Sequence, residues 1–334
     1  MAYRAERINV DGIDVVRLHN DARQTSVSIV PSVGNITYEF NVGGRSILWT
    51  PYKSPAELKQ NPVMGGIPFL APWANRLSGD QYWVNGREYK IDSAIKNIRR
   101  DTFGHPIHGL VLFAPWTTTE LTANESEARV SSRLDLSDRS DWLAQFPFPH
   151  TLTMTHSLRD GGLTVRLHVA NQAEQAVPLS MGFHPYFSVP GGDRDRCRVH
   201  LPVRSRLLLD SEMLPTSEVE PWDPDSSFDL AGRSFDDGFT NLVRTAGGDA
   251  ILRAEGGGHL LEVGFGPRFQ VAVLYAPPGK PFLCFEPMTA ITNAFNLAHE
   301  GKYGGLQHVA PGESWEEQFW IRVEDESGAG AKSI

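Results

Sequence analysis

The chain is poor in cysteine: Cys197 and Cys284 are the only two in 334 residues. Two isolated thiols give no disulfide framework, and without a CxxC pair they give no zinc-ribbon pattern; free thiols fit a reducing compartment. Basic runs are also missing, and the net charge is −9. Nucleic acids and anionic membranes are bound by clustered Lys and Arg that neutralise phosphate, so neither is an expected partner. No apolar stretch approaches the roughly 20 residues that span a bilayer. Met1 to Val10 alternates charged and apolar residues and has no apolar secretory core, so the expected location is the cytoplasm. No GxGxxG opens a helix, and neither GxxxxGK[ST] nor a GxSxG elbow occurs, which argues against a nucleotide cofactor and a serine hydrolase. The 11 histidines form no HxxxH or HxH pair. His105 and His108 have HxxH spacing, but Pro106 lies between them with no carboxylate nearby in sequence. No metal and no cofactor is therefore expected.

What the sequence does contain is short alternating runs punctuated by Gly, Asn and Asp. Arg7 to Leu18 reads as a hairpin around Asp11-Gly12, Gln81 to Ile91 as one around Asn85-Gly86, and Leu152 to Val169 as one around Asp160-Gly161-Gly162. In the last, Leu163, Val165, Leu167 and Val169 point one way and Thr164, Arg166 and His168 the other, as in a half-buried strand. Further strands are expected at 27–30, 36–42, 129–136, 198–201, 206–209, 260–265, 270–275 and 318–323. Helical signals are confined to Ser54–Gln60, with Ser54 as cap before Pro55, and to Asp141–Gln145 and Thr292–Ala298. The 31 glycines and 23 prolines are spread along the chain. The fold class is all-β, a large antiparallel sandwich or distorted barrel. No linker or fixed-period repeat divides the chain; Asp223–Ser227 reads as a loop. A single domain over residues 1–323 is expected, followed by a disordered Gly/Ala/Ser-rich tail over 324–334.

Four segments break the alternation with Gly, Pro, aromatic and polar residues together: Gly65–Leu77, His105–Leu110, Met181–Phe187 and Phe285–Asn293. Each sets an ionisable or polar group among apolar neighbours, which is costly unless the group is paired or faces a ligand. Glu286, between Phe285 and Pro287, is either a general base at a strand end or a structural carboxylate bonded to Arg or backbone. His184, between Phe183 and Pro185, is either a proton-transfer group or a satisfied core histidine. Arg76 and His108 divide the same way, between site residues and ordinary surface or loop residues. Trp73, Trp83, Trp116, Trp142, Phe183, Tyr186 and Phe285 lie near these groups in sequence. Aromatic faces beside hydrogen-bonding groups suit a carbohydrate, although at least half of these rings belong to the core on burial statistics.

Together the segments resemble the aldose 1-epimerase (galactose mutarotase) family. Ala74-Asn75-Arg76-Leu77 with Gly79 and Val84-Asn85-Gly86-Arg87 is similar to one family segment. Ile107-His108-Gly109, His184-Pro185-Tyr186-Phe187, Phe235-Asp236-Asp237-Gly238-Phe239 and Glu286-Pro287-Met288-Thr289-Ala290 with Asn293-Ala294-Phe295-Asn296 are similar to others, and Pro311-Gly312-Glu313 precedes the final strand as in the family. These matches run in the family's order from about residue 65 to 320. The resemblance implies the galactose mutarotase-like supersandwich and interconversion of α and β anomers of a free aldose without a cofactor. It implies that Glu286 takes the proton of the anomeric hydroxyl and that His184, as imidazolium, protonates the ring oxygen. Arg76, His108 and Asp236 fall at sugar-contact positions, with Asn75 and Tyr186 as further contacts and Asp237 as the competitor to Asp236. A sugar as sole small-molecule partner and a monomer or homodimer are expected. Ala71-Pro72-Trp73 departs from the galactose-acting members, which bears on the sugar rather than the reaction. The alternatives are a phosphorylated or sulfonated sugar, with Arg99 and Arg100 as cations for it, and a non-catalytic carbohydrate-binding protein. A glycoside hydrolase or lyase would need a second catalytic carboxylate, for which Asp236 is the only candidate.

Overall fold

A computed structural model describes residues 2–325. The chain begins with a meander, Tyr3–Val10, Ile13–Asn20, Thr25–Val30, Ile36–Val42 and Arg45–Ser46, paired in that order as a five-stranded antiparallel sheet. Asp11 and Gly12 take φ of 52° and 82° at its first turn, the left-handed pair that a tight hairpin needs. The Asn85-Gly86 and Asp160-Gly161 turns repeat this geometry. The largest sheet has nine strands in the order Ser227–Asp229, Arg198–His200, Ala250–Gly256, His259–Phe265, Ser314–Asp325, Gly162–Asn171, His150–Arg159, Ala128–Asp135 and Thr117–Ala123. An eight-stranded sheet runs Pro215–Pro221, Val203–Leu209, Phe235–Leu242, Val271–Ala276, Phe282–Met288, Gly182–Phe183 and Phe69–Leu70, with Tyr186–Ser188 also paired to Phe282–Met288.

The two large sheets pack face to face through aromatic side chains. Phe183 meets Phe319 at 4.9 Å between ring centroids, and Phe228 meets Phe235 at 5.2 Å. The five-stranded sheet covers the other end of the nine-stranded one, with Tyr3–Val10 against Thr117–Ala123. The architecture is the antiparallel sandwich that the alternating pattern predicts. Leu163, Val165, Leu167 and Val169 are fully buried between the layers. The helix expected from Thr292 starts instead at Ala294, because Asn293 is left-handed with φ 60°. Thr117–Ala123 and Pro215–Pro221 were not predicted as strands. Both are polar edge strands with few buried residues, so they carry little apolar alternation. The last strand extends through Asp325, two residues into the expected tail; residues 326–334 lie outside the described residues.

The interior also holds buried histidines. His156 is 1% exposed, sits opposite Val130 and Val165, and its Nδ1 has no hydrogen-bond partner among the described residues. Burial lowers its pKa to about 3, and that of His150 to about 4. Below the ordinary value of about 6.5 the unfolded chain binds a proton that the folded chain refuses. Stability is therefore full above that value and is lost as the pH falls toward about 3. At pH 5 this one site costs the native state about 2 kcal/mol. His156→Leu should remove most of that loss. Denaturant unfolding at pH 7 and pH 5 is expected to show a smaller drop for the variant than for the wild type by about that amount; equal drops would refute the assignment.

Candidate active site

The four motif segments are sewn together by backbone hydrogen bonds. The amide of His108 donates to the carbonyl of Asn75 at 2.9 Å, Leu110 to Ala71 at 2.7 Å and Leu77 to Pro106 at 2.9 Å. His184 donates to Pro68 at 3.0 Å, Tyr186 to Gly66 at 2.8 Å and Thr289 to Met181 at 2.9 Å. Asn293 closes the ring. Its amide donates to the Arg76 carbonyl at 3.0 Å, and its Oδ1 accepts from the Ser78 amide at 3.0 Å and from Asn296 Nδ2 at 2.8 Å. The approach is close at Gly109, where a Cβ would lie 2.1 Å from the Ala71 carbonyl oxygen and where φ is 66°. His108, just before it, is itself left-handed with φ 63°, a conformation that costs energy for a histidine and is held by this frame.

Strand register delivers the side chains. Across the eight-stranded sheet Asp236 pairs with Tyr275, Tyr275 with Cys284, and Cys284 with Tyr186. The next row on that face is Gly238, Val273 and Glu286. Side chains two apart on a strand share a face, so Asp236, Tyr275, Cys284, Glu286 and Tyr186 gather on the side away from the main core, which takes Leu283 and Phe285. His184 lies beside this face, in the turn between Gly182–Phe183 and Tyr186–Ser188.

Glu286 and His184 therefore meet. Oε1 of the carboxylate lies 3.3 Å from Nε2 of the imidazole, with their side chains 2% and 9% exposed. The Tyr186 ring stacks on His184 at 4.6 Å with planes 8° apart, and His108 and Tyr275 approach it edge-on. Glu286 Oε2, His184 Nδ1 and His108 Nδ1 are buried and have no hydrogen-bond partner among the described residues. Such atoms are costly to leave unmet, and their concentration here marks a ligand position. Arg76 reaches the same face, its Nε donating to Asp101 Oδ2 at 2.7 Å. The other Asp101 oxygen accepts from the amides of Phe103 and His105.

Burial sets the electrostatics. It pushes the Glu286 carboxyl well above the ordinary carboxylate range, and Asp236 adds to the rise while Arg76 opposes it. Burial pushes His184 down to about 3. His108 also falls well below its ordinary value, through burial and then the nearby His184, Arg99 and Arg76. Burial disfavours the charged form of both members of the pair, whereas their contact favours a proton shared between them. Burial thus favours one proton on the pair, on the carboxyl, rather than the separated charges that the resemblance implies. Asp236 meets solvent at the end of its row, yet the surrounding protein still raises its carboxyl, with Arg76 acting the other way. Asp101 stays below the ordinary range: burial opposes this, but the Arg76 bond and two backbone amides prevail.

Glu286, His184, Tyr186, His108, Arg76 and Asp236 are brought to one place. Asn75 lines the adjoining cleft with Arg76 and Asp236. Asp237 points elsewhere, its Oδ1 bound to Arg206 at 2.7 Å and 2.9 Å, so Asp236 is the aspartate that faces the site. Arg100 is tied to Asp80, Ser93 and the Gly104 carbonyl, while Arg99 lies over the Phe113 ring. Trp73, Trp116, Trp142, Phe183 and Phe285 are core residues, and Trp83 stacks on His299 away from the site. The aromatic wall beside Tyr186 is made by Trp49, Phe282 and Tyr275, none of them singled out in the sequence. Trp49 carries no local signal; Tyr275 and Phe282 follow from the register of their strands. Asp101 was also missed, since nothing in sequence links it to Arg76.

Residues 14–322 match the family model described as aldose 1-epimerase. A galactose mutarotase-like protein from Clostridium acetobutylicum has the same fold, with a TM-score of 0.85 at 22% identity over 97% of this chain and 98% of that one. The uncharacterized protein YihR of Escherichia coli is 28% identical over 164 residues, 49% of either chain. The galactose mutarotase of Homo sapiens is 26% identical over 167 residues, 49% of this chain and 44% of that one. The matches to these two relatives thus span about half of their length or less. The electrostatics give a direct expectation: in an NMR titration of the imidazoles, His184 stays uncharged through the ordinary range near 6.5 and gains its proton only toward about 3. A midpoint near 6.5 would contradict the buried, one-proton pair.

Proposed function

The chain belongs to the aldose 1-epimerase family, and from that premise we propose that it interconverts the α and β anomers of an aldose, with Glu286 and His184 as the proton-transfer pair. The observation that carries the reading is the 3.3 Å contact between a buried carboxylate and a buried imidazole, beside buried polar atoms that have no hydrogen-bond partner among the described residues. Opening a hemiacetal removes the proton of the anomeric hydroxyl and adds one to the ring oxygen as the C1–O5 bond breaks. An ionised Glu286 takes the first and a protonated His184 gives the second, and no cofactor enters the balance. After transfer both groups are neutral, which is the state that burial favours. The protein thus stabilises the protonation state that accompanies the open-chain aldehyde. Rotation about C1–C2 presents the other face, and the reverse transfers close the other anomer.

The remaining residues take supporting parts in this reading. Tyr186 holds the imidazole plane by stacking. Arg76, fixed by Asp101, faces the charge that develops on oxygen. Asp236, Asn75 and His108 offer hydrogen bonds to sugar hydroxyls, and Trp49, Phe282 and Tyr275 offer an apolar wall to its C–H face. Arg99 is the observation that favours a second reading, an anionic sugar: it is exposed, makes no ion pair among the described residues, and lies close enough to His108 to lower its pKa. Competition between a neutral aldose and its phosphate ester separates the two.

Anomer exchange followed by NMR, after subtraction of the spontaneous rate, tests the reading over a panel of aldoses. Glu286→Gln and His184→Asn are each expected to lower kcat by about 10²–10⁴-fold. Full activity in Glu286→Gln defeats the mechanism, and sugar binding without any acceleration by the wild type leaves a binding protein. The same assay run against pH checks the pair. Acid adds a second proton only toward the depressed value of His184, about 3, and alkali removes the single proton only above the raised value of Glu286. The kcat/KM profile should therefore lack an acid limb near 6.5, and a limb there would show His184 titrating as a free imidazole.

A further inference from the structure

We propose that His184, Cys284 and Glu286 form a site for a thiophilic divalent cation, zinc being the best fit, and that the bound metal shuts the sugar out. The ligand atoms of these three side chains all lie within 4.8 Å of one another. Each residue is buried: Cys284 is 0% exposed, Glu286 1% and His184 7%. An imidazole nitrogen, a thiolate and a carboxylate oxygen are the donors that zinc takes, with bonds of about 2.0–2.3 Å. A tetrahedral ion with such bonds holds its ligand atoms about 3.3–3.8 Å apart. The observed cluster is somewhat wider than that, so the three ligand atoms have to draw together around the ion. Glu286 Oε2 and His184 Nδ1 have no hydrogen-bond partner among the described residues, so no existing bond to them has to be broken.

Sequence spacing hides this cluster. Cys284 and Glu286 are two apart on one strand and so share a face, while His184 arrives from a turn 100 positions earlier through the pairing of Tyr186 with Cys284. A search for neighbouring His and Cys cannot find it. The exchange also balances. As the dication enters, the Cys284 thiol and the Glu286–His184 pair each release one proton to solvent, and the net charge of the buried cluster is unchanged. Three protein ligands leave a fourth position to water, as in open zinc sites. The metal occupies the lone pairs that the proposed reaction needs, so metal and sugar exclude one another. Binding stands independently of the epimerase reading; only the inhibition rests on it.

The test uses the whole chain after chelator treatment. Cobalt is titrated in while the near-ultraviolet thiolate-to-cobalt charge-transfer band is recorded, and zinc binding is measured by calorimetry. One ion per chain is expected at this site, with the band present in the wild type and in Cys197→Ala, whose thiol is buried elsewhere. Cys284→Ala should lose the band and bind zinc at least tenfold more weakly, while its unfolding midpoint without metal stays near wild type. Zinc should inhibit exchange in competition with sugar, and a chelator should restore it. A wild type without the cobalt band, or a band that survives Cys284→Ala, overturns the site. Stoichiometric zinc that leaves sugar turnover untouched overturns the exclusion. Metal binding in a chain that accelerates no sugar supports the site and counts against the epimerase reading alone.

Discussion

The site depends on strand alternation along Phe282–Met288. Every residue of this strand is buried, so no polar face announces which way it points. Its odd members Leu283 and Phe285 enter the core between the large sheets, and its even members Cys284, Glu286 and Met288 face the opposite side. A register slip of one residue would drive the Glu286 carboxylate between the sheets and bring Phe285 to the site. Such a slip would bury the carboxyl group without its partner, at a cost of several kcal/mol. The energetics of the core and the position of the chemistry are thus set by the same pairing.

Bringing an acid and a base 3.3 Å apart in an apolar setting is useful only if both are kept from other partners. The frame does this. Backbone bonds from His108, His184, Tyr186, Thr289 and Asn293 satisfy the main chain around the site. Asp101 occupies Arg76, so the nearest cation does not pair with Glu286 directly. What remains is a carboxylate and an imidazole with one proton between them and with further lone pairs unmet.

Much of this was legible in the sequence. The hairpins at Asp11-Gly12, Asn85-Gly86 and Asp160-Gly161 are local, and their turn residues state their geometry. Glu286, His184, Arg76 and His108 stand out in the sequence because Gly, Pro and aromatic neighbours break the alternation around them, and Asp236 enters only through the family resemblance; the structure places all five side chains together. What was not legible is whatever depends on pairing between distant strands. The assignment of site rings to Trp49, Tyr275 and Phe282 comes from which strands are neighbours, as does the partnership of Arg76 with Asp101. The choice between Asp236 and Asp237 turned on where Arg206 lies. The preference of the pair for neutrality depends on how deeply both groups are enclosed, which no motif records.

Because the four segments are joined mainly through main-chain amides and carbonyls, their geometry is largely indifferent to the side chains they carry. Glycine at 109 is an exception, since any larger residue would collide with Ala71. Such a frame is evolvable. Residues along the rim can be exchanged while the contact between Glu286 and His184 is re-formed each time by unaltered backbone. Near-complete superposition with a galactose mutarotase-like protein at only 22% identity is the outcome expected of a scaffold whose shape is written in peptide bonds rather than in side chains.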